Sequence, residues 1–512
     1  MEGEPIFLGI DLGTSTVKAG LFTASGGEVA LAGHEYFTVP DEAALVDIEP
    51  EAMWSAVRGV VRQVLNSAPA ARSSIAALSI SSHAETTIFL AADGQPVRPA
   101  LFTNDARAVR QARALQELFG FEWIMQRTGQ PGATPLWPAC KIMWLREEEP
   151  EAFRRVALFL LPQDYLIYRL TGIAAGDPTV WLSSMMVDLH RRQWLSEVLA
   201  AIGVSAERLP QLLPAGTLVG TVKPEAAAEL GLPDGVPVVV GALDQHCAAL
   251  AAANVASGIA SVSIGTVLAI VASTDRAVVD PVSKISCYMH VLPELYCLLP
   301  WNPTGGLALK WFKDRFGAQE QAMAEAQGRS VYDMLCEEAA RVPAGCDGLV
   351  MLPHLQGLLF PEIEPSVRGA FCGFGLAHGK GHFTRAILEG VAFMLREALE
   401  GLEELGAPAQ EVRLLGGAAR SRLWTQIIAD VCQRQIGVVQ TAEAAVLGAA
   451  VLAATGSGIY RDIRSAVEAM VRLAEPVLPE PGAAGIYNRA YERYRALYAS
   501  LKGWFTAAAE HA

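Results

Sequence analysis

The sequence contains none of the common signatures of nucleotide or metal binding. It has no Walker A pattern, no well-placed GxGxxG and no CxxC, so the commoner nucleotide folds and cysteine-based zinc sites get no support. Basic residues are also scarce: 40 Lys and Arg stand against 54 Asp and Glu, which leaves a net charge of -14. An acidic protein offers no attraction to nucleic acid or to an anionic membrane surface, so a small-molecule partner is favoured.

Signs of export are missing as well. The first residues, MEGEPIFLGID, are acidic where a signal peptide would be basic, and their apolar run is short. The 8 cysteines are spread along the chain without disulfide-like or metal-ligand spacing. We therefore expect reduced, mostly buried thiols in a cytoplasmic protein.

One segment is long and uncharged enough to cross a bilayer. It runs CAALAAANVASGIASVSIGTVLAIVAS over residues 247–273. However, it includes Asn254, several serines and glycines, and its second half becomes β-branched and interrupted by turns. The pattern favours a buried helix followed by a buried hairpin over membrane insertion.

The order of apolar runs predicts an α/β protein with two related domains. The opening IFLGIDLGTSTVKAGLFTASGGEVALAGHEYFTV indicates three antiparallel strands. Its first turn contains Gly13-Thr14, and a second hairpin later in the chain contains Gly265-Thr266 between similar runs. We predict domains over residues 1–246 and 247–512, with the boundary near residues 246 to 256.

Two glycine-containing turns are candidate phosphate or nucleotide contacts. In DLGTST, Gly13 would expose backbone N–H groups, Thr14, Ser15 and Thr16 would add hydroxyl donors, and Asp11 could hold Mg²⁺. In LLGGAARSRLWTQIIAD, Gly416 and Gly417 would let a ligand approach the backbone where a helix starts. Ordinary turns without a ligand explain both patterns equally well.

Polar side chains also follow predicted strands in the first half. His83 and Glu85 come directly after the strand IAALSISS, and Asn104 and Asp105 lie in the segment LFTNDARA. Short polar side chains of this kind bind hydroxylated substrates through paired donors and acceptors. A solvated loop is the alternative interpretation.

Asp244 lies between the β-branched run VPVVVGAL and a long uncharged stretch. At or near a helix N-cap, free N–H groups and the helix dipole favour its ionised form. A purely structural cap explains the position, and so does a general base that takes a proton from a substrate hydroxyl.

Taken together and in this order, the segments resemble the FGGY carbohydrate kinases, the family of xylulokinase and glycerol kinase. GIDLGTSTVKAGLF resembles the family's first phosphate loop, and GFGLAHGKGHFTRAILEG its C-terminal signature. LPQDYLIYRLTG is similar to the middle of the first domain, and LLGGAARSRLWTQIIAD with EAAVLGAAVLAA to the adenosine-side motifs. The similarity runs from Ile6 to about Gly458.

The resemblance implies two ribonuclease-H-like domains of the actin and hexokinase type, with a cleft between them and ATP and Mg²⁺ as cofactors. Asp244 falls on the family's catalytic base, and Asp11 would be the metal-side carboxylate. Gln245 becomes a candidate substrate neighbour, together with His83, Glu85, Asn104 and Asp105. The residues implied to contact the nucleotide are Gly13, Thr14, Ser15, Thr16, Gly265, Thr266, Gly305, Gly306, Gly416 and Gly417.

The substrate stays open between several classes. TNDAR is similar to the ketose-kinase pattern, which favours a ketopentose such as xylulose. Glu85-Thr86-Thr87 is closer to glycerol kinases, although Ala84 stands where those have arginine, so a polyol such as glycerol or a tetritol is the alternative. A non-catalytic sugar sensor is a third hypothesis, and a homodimer is left open.

Overall fold

The computed structural model describes residues 4–37, 45–282 and 284–509. They form two compact units. Unit 1 comprises Met1–Val255, Asp275–Cys297 and Glu443–Arg472, and unit 2 comprises Ala256–Thr274, Leu298–Ala442 and Leu473–Ala512. The division into domains at residues 246 and 247 stays a prediction.

Strands and helices alternate along much of the chain, which is the expected α/β organisation. The strands are β1 (Ile6–Leu12), β2 (Thr16–Thr23), β3 (Glu28–Glu35), β4 (Asp47–Ile48), β5 (Ile75–Ser82), β6 (Ile88–Leu90), β7 (Ala100–Leu101), β8 (Leu158–Leu160), β9 (Ala175–Gly176), β10 (Gln211–Leu212), β11 (Leu218–Thr221), β12 (Pro237–Val239), β13 (Ile259–Ile264), β14 (Leu268–Thr274), β15 (Cys287–Met289), β16 (Tyr296–Leu298), β17 (Trp301–Asn302), β18 (Val350–Leu352), β19 (Ala370–Cys372), β20 (Glu411–Gly416) and β21 (Ile436–Val438). The helices are α1 (Pro50–Ser67), α2 (Val109–Phe119), α3 (Phe121–Thr128), α4 (Pro138–Glu148), α5 (Pro150–Arg155), α6 (Pro162–Thr171), α7 (Pro178–Trp181), α8 (Ser196–Ile202), α9 (Pro224–Leu230), α10 (Asp244–Ala251), α11 (Leu307–Phe316), α12 (Ala318–Gln327), α13 (Val331–Ala340), α14 (Lys380–Glu404), α15 (Arg422–Cys432), α16 (Ala444–Gly456), α17 (Ile463–Met470) and α18 (Ala483–Ala509).

The main sheet of unit 1 has the strand order β11-β12-β5-β1-β2-β3. The predicted meander is confirmed, because β1, β2 and β3 pair antiparallel in sequence. Strand β5 adds to β1 in parallel, and β12 adds to β5 in parallel. The carboxyl ends of β1, β5 and β12 therefore lie at one edge of the sheet, where polar residues follow each strand.

The apolar helix α16 packs tightly on this sheet within unit 1. A methyl group added at Gly9 in β1 would lie 2.0 Å from the Val446 carbonyl oxygen, and one added at Gly448 would lie 1.9 Å from the Cys247 carbonyl oxygen. Helix α16 is apolar on all sides, which is typical of a buried helix. The two glycines thus allow α16 to contact both β1 and α10 closely, which holds the start of α10 at the sheet edge.

Unit 2 repeats the arrangement of strands. Strands β14, β13, β20 and β21 are neighbours in that order, and β17 pairs with β14. Hairpin β13–β14 is antiparallel, and β20 adds to β13 in parallel, as β5 adds to β1 in unit 1. The equivalence of the Gly13-Thr14 and Gly265-Thr266 turns, inferred from two short motifs, thus extends to the strands around them.

The long uncharged segment forms α10 and the hairpin β13–β14, as predicted. Among the described helices, none combines the length and the apolar composition that spanning a bilayer requires. All 8 cysteines are free thiols, and six of them are buried; Cys336 is half-buried and Cys372 is exposed.

Candidate active site

Asp11 lies near the carboxyl end of β1, opposite Lys18 of β2. The Ser81 hydroxyl, from the neighbouring strand β5, donates a 2.7 Å hydrogen bond to Asp11 Oδ1. Burial raises the pKa of Asp11 to about 6, although the Ser81 hydrogen bond and the Lys18 ammonium both act to lower it. Asp11 is therefore a carboxylate that an added cation would stabilise.

Asp244 is the first residue of α10, and Leu243 occupies the N-cap position. Its Oδ1 accepts a 2.6 Å hydrogen bond from the Gln245 backbone N–H. Burial, followed by the negative charges of Asp11 and Glu85, nevertheless raises the pKa of Asp244 to about 7. The Gln245 N–H at the helix N-terminus lowers the pKa and so favours the ionised form, but burial and the neighbouring carboxylates outweigh it.

Glu85 is held in an unusual backbone conformation with φ of 64°. Its carboxylate Oε2 accepts a 2.7 Å hydrogen bond from Thr103 Oγ1. Its carbonyl oxygen accepts a 2.9 Å hydrogen bond from Lys141 Nζ, which also donates to the Phe102 carbonyl at 2.6 Å. A non-glycine residue at positive φ costs free energy. The hydrogen bonds from Thr103 and Lys141 hold Glu85 in this conformation despite that cost.

His83 is buried, and both of its ring nitrogens are engaged inside the protein. Nδ1 lies 2.9 Å from the Leu12 carbonyl oxygen, and Nε2 lies 2.9 Å from Thr86 Oγ1. Burial lowers the pKa of His83 to about 4, which makes the ring neutral. The ring fastens the segment before Glu85 to the end of β1, and its contact with substrate stays a prediction.

Asn104 and Asp105 differ in what they can offer a ligand. Asn104 is exposed, whereas Asp105 is fully buried. Asp105 Oδ1 accepts a 2.8 Å hydrogen bond from Arg107 Nε, and Asp105 Oδ2 accepts a 2.6 Å hydrogen bond from the Val46 backbone N–H. Asp105 thus stabilises the loop that presents Asn104, while direct substrate contact by either residue stays a prediction.

The DLGTST turn of unit 1 is tight. Gly13 N–H donates to the Thr16 carbonyl at 3.0 Å, and the Tyr36 hydroxyl donates to the Gly13 carbonyl at 2.9 Å. Thr14 is exposed, and Ser15 and Thr16 are half-buried. The turn therefore presents hydroxyl groups next to the end of β1, as phosphate binding without a Walker lysine requires.

Unit 2 contains a pocket of about 540 Å³, within the range of small-molecule sites. Of the predicted nucleotide residues it brings together Gly265, Thr266, Gly306 and Gly417. Gly306 N–H donates to the Gly265 carbonyl at 2.6 Å, and a methyl group added at Gly306 would lie 2.6 Å from that oxygen. Gly416 borders this turn with φ of 77°, which favours glycine.

The donor set fits Mg²⁺ only as part of a nucleotide complex. Among the residues that the structure describes, no group of three or more His, Cys, Asp or Glu side chains is arranged to hold a metal ion. Mg²⁺ is commonly bound by one or two carboxylates together with substrate phosphates, and Asp11 supplies such a carboxylate. Asp11 and the unit 2 pocket thus fit Mg²⁺ and ATP, respectively.

Several residues of these sites carried no signal in the sequence. In unit 1 they are Ser81, whose hydroxyl donates a hydrogen bond to Asp11, and Lys141, whose ammonium donates one to the Glu85 carbonyl. Both hydrogen bonds join segments that are distant in sequence. In unit 2 the pocket is also lined by Lys310, Arg420 and Trp424. Lys310 follows Gly306 by one helical turn, and this spacing is the one sequence signal that could have found it.

Comparison with known proteins agrees with this geometry. Residues 6–251 match the N-terminal domain of the FGGY family of carbohydrate kinases, and residues 260–457 match its C-terminal domain.

Three curated relatives are similar along nearly the whole chain. A xylulose kinase of Bacillus subtilis is 28% identical over 98% of this chain and 98% of its own. A gluconokinase of the same organism is 30% identical over 88% and 87%, and an autoinducer-2 kinase of Yersinia pestis is 30% identical over 97% and 94%.

A crystal structure of a kinase from Brucella ovis, described as a xyloylose kinase, superposes with a TM-score of 0.85 at 28% identity, over 98% of this chain and 100% of that one. The fold of both units is therefore that of the FGGY kinases, the actin- and hexokinase-like architecture expected from the sequence. The family's members are sugar phosphotransferases that use ATP. The two family matches cover most of the chain, and the chain belongs to the FGGY family of carbohydrate kinases.

Proposed function

We propose that this kinase transfers the γ-phosphoryl group of ATP to a hydroxyl group of a ketose, with xylulose or a related ketopentose as the preferred acceptor. The observation that carries the proposal is the position of Asp244, which begins α10 and accepts a 2.6 Å hydrogen bond from the Gln245 N–H, while burial and the carboxylates of Asp11 and Glu85 raise its pKa to about 7. A base whose pKa lies near the working pH is substantially ionised at that pH. It is also basic enough to accept the proton of a substrate hydroxyl group.

In the reaction, Asp244 accepts the proton of the acceptor hydroxyl while the oxygen forms a bond to the γ-phosphorus. The bond from that phosphorus to the bridging oxygen breaks, and ADP leaves. Mg²⁺, when bound with ATP, neutralises charge on the phosphates. Asp11 is the carboxylate on the metal side, and Glu85 orients hydroxyl groups of the acceptor. Gln245 follows Asp244 in α10, and Asn104 follows Thr103, whose hydroxyl donates to Glu85, so both are positioned to assist.

Two features support a ketose. The TNDAR segment follows the ketose-kinase pattern, and the xylulose kinase of Bacillus subtilis is similar over 98% of both chains. The second candidate is a polyol such as glycerol or a tetritol, favoured by the carboxylate of Glu85 in the Glu85-Thr86-Thr87 segment. Because relatives of this chain include a gluconokinase and an autoinducer-2 kinase, the acceptors to be compared include an aldonate and one further class of acceptor.

The proposal is tested by measuring ADP release with ketopentoses, ketohexoses, glycerol, tetritols and gluconate. ATP hydrolysis without acceptor is the control. We expect the highest kcat/KM with xylulose or a related ketopentose. A higher kcat/KM with a polyol or an aldonate would contradict the ketose assignment, and no stimulation by any acceptor would favour a non-catalytic sensor.

A further inference from the structure

The Thr179 hydroxyl links the start of α10 to a buried carboxylate of unit 1. The Leu243 backbone N–H donates a 3.2 Å hydrogen bond to Thr179 Oγ1. Thr179 Oγ1 in turn donates a hydrogen bond to Asp177 Oδ1. A backbone N–H can only donate and an ionised carboxylate can only accept, so the direction of both hydrogen bonds is fixed. The hydroxyl thus holds Leu243 on one side and is itself held by Asp177 on the other.

Asp177 is fixed by backbone groups of two segments. Its Oδ1 accepts a 2.8 Å hydrogen bond from the Thr179 N–H, and its Oδ2 accepts a 2.9 Å hydrogen bond from the Ala215 N–H. Burial raises the pKa of Asp177 to about 6, although the hydrogen bonds of Thr179 and Ala215 and the charge of Arg192 act to lower it. The carboxyl group is therefore mainly ionised at neutral pH, as the hydrogen bond from the Thr179 hydroxyl requires.

Gln163 of α6 holds the same segment from the side of β5. Its Nε2 donates to the Ile80 carbonyl at 2.9 Å and to the Ala242 carbonyl at 3.3 Å. Its Oε1 accepts a 3.3 Å hydrogen bond from the Asp177 N–H. Gln163, Asp177 and Thr179 are each at most 2 % exposed, and we name them the α10 support.

Asp244 depends on the α10 support because other contacts fix it only weakly. Leu243, in the N-cap position, has an apolar side chain that makes no cap hydrogen bond. Among the described residues, the Asp244 carboxylate accepts a hydrogen bond only from Gln245, its neighbour in the same helix. Consecutive Cα atoms are about 3.8 Å apart across a trans peptide bond, so a shift of Leu243 moves Asp244 with it.

We propose that Thr179 is a positioning residue for the reaction: its hydroxyl holds the backbone of Leu243, and thereby the Asp244 carboxylate, where proton transfer from the acceptor hydroxyl requires it. Asp177 orients the hydroxyl, and Gln163 holds the adjoining carbonyl. The inference rests on the proposed function and deepens it, because it takes Asp244 as the base. A misplacement of about 1 Å can reduce a rate about 10²-fold, so the effect of Thr179 is on kcat.

Thr179→Val tests the hydroxyl, because valine keeps the shape of the side chain and leaves the Leu243 N–H without its acceptor. We expect kcat to fall about 10- to 100-fold, while the KM for ATP and the KM for the sugar each stay within about threefold. Thr179→Ser restores a hydroxyl and should recover kcat to within about threefold of wild type. An unchanged kcat in Thr179→Val would overturn the proposal.

Thr128→Val is the matched control within unit 1. Thr128 is fully buried, and its hydroxyl also donates to an oxygen, the Ile124 carbonyl at 2.6 Å, and accepts from a backbone N–H, that of Gln130 at 3.2 Å. We expect Thr128→Val to lower Tm about as much as Thr179→Val and to leave kcat within about twofold of wild type. Equal losses of kcat in the two valine variants would overturn a specific positioning role. Thr179→Cys, whose thiol is a weak acceptor, makes the same comparison if Thr179→Val does not fold.

A double variant shows whether Thr179 acts through Asp244. Asp244→Asn already lacks the base, so adding Thr179→Val to it should change kcat less than about twofold. If the two losses multiply instead, Thr179 acts independently of Asp244 and the proposal is wrong. If Asp244→Asn alone leaves kcat unchanged, the proposed base has failed, and the position of Asp244 is then measured without catalysis.

That measurement is carbon-13 NMR titration of the aspartate carboxyl groups, with the Asp244 signal assigned by its loss in Asp244→Asn. Burial is the largest cause of the raised pKa of Asp244, and a displaced carboxylate gains contact with water. We therefore expect Thr179→Val to lower this pKa by at least about 0.5, and Thr128→Val to leave it unchanged. The same pKa in wild type and both valine variants would overturn the positioning role, whether or not any acceptor stimulates ADP release.

Discussion

Lys141 Nζ donates a 2.9 Å hydrogen bond to the carbonyl oxygen of Glu85, a residue held at φ of 64°. The lysine is fully buried, and burial lowers its pKa to about 7. Its other hydrogen bonds, to the Phe102 and Thr103 carbonyls, join the Glu85 segment to the loop that carries Asn104. One buried ammonium thus positions both predicted acceptor-binding loops.

Replacing this ammonium is expected to impair acceptor binding first. Lys141→Met leaves three carbonyl oxygens without their donor, each a loss of about 1–3 kcal/mol when buried. We expect the KM for the sugar to rise at least tenfold and Tm to fall by several degrees. Steady-state kinetics and thermal unfolding measure both, and an equal rise in the KM for ATP would contradict a role specific to the acceptor.

The pH profile should report the carboxylate of Asp244. Its pKa is about 7, and only the ionised form accepts a proton, so kcat/KM for the sugar should fall about tenfold per pH unit below that value. Asp11, with a pKa of about 6, adds a second acidic step. Profiles at saturating ATP test this, and a flat profile from pH 5.5 to 8 would exclude Asp244 as the base.

Asp244→Asn removes the proposed base and keeps the shape of the side chain. A positioned base contributes about 10²–10⁴ in rate, so kcat should fall at least ~10²-fold. The affinity for ATP should stay within about twofold of wild type, because other residues form the predicted nucleotide pocket of unit 2. The decisive comparison is single-turnover phosphorylation in the two proteins, and equal rates would rule out general-base catalysis by Asp244.

The same variant should be more stable than wild type, in a pH-dependent way. The folded-state pKa of Asp244 is raised from 3.8 to about 7, so this group lowers the stability of the folded protein progressively as the pH rises from about 4 to about 7, and by the full amount above 7. We expect Asp244→Asn to raise the free energy of unfolding by about 1–2 kcal/mol at pH 8, less than the full pKa difference implies because the side chain is half-buried. The gain should shrink as the pH falls from 7 towards 4. Denaturant unfolding at pH 8 and pH 5 checks it, and a constant or reversed difference would argue against this origin of the shift.

Sequence patterns predicted local features well and long-range contacts poorly. The turns at Gly13 and Gly265 and the start of α10 follow from strand alternation and turn residues, and each lies where expected. The raised pKa of Asp244 depends on burial and on Asp11, which is distant in sequence and lies nearby because β1, β5 and β12 are parallel neighbours. No local pattern reports such proximity.

Isolated polar residues were missed for the same reason. Gln130, Ser183 and Tyr288 lie in three separate segments and carry no motif, and the fold joins them through side-chain hydrogen bonds to the Tyr288 phenol. Asp105 shows the converse, because its sequence context suggested a ligand contact while its carboxylate is bound by Arg107 and Val46. Hydrogen-bond pairing in the folded chain decides both cases, and residue type alone does not reveal it.

The close contacts of Gly306 make the predicted nucleotide pocket of unit 2 sensitive to a single methyl group. The N–H of Gly306 donates to the Gly265 carbonyl at 2.6 Å, and a methyl group added there would lie 2.6 Å from the same oxygen, so Gly306→Ala must displace the Gly265-Thr266 turn. We expect the KM for ATP to rise at least tenfold, while xylulose binding without nucleotide stays within twofold. Gly503→Ala in α18 is the matched control, because a methyl group there has no heavy atom within 4 Å and alanine favours a helix. Nucleotide titration and calorimetry make the comparison; a wild-type KM for ATP in Gly306→Ala would mean that this turn does not contact the nucleotide.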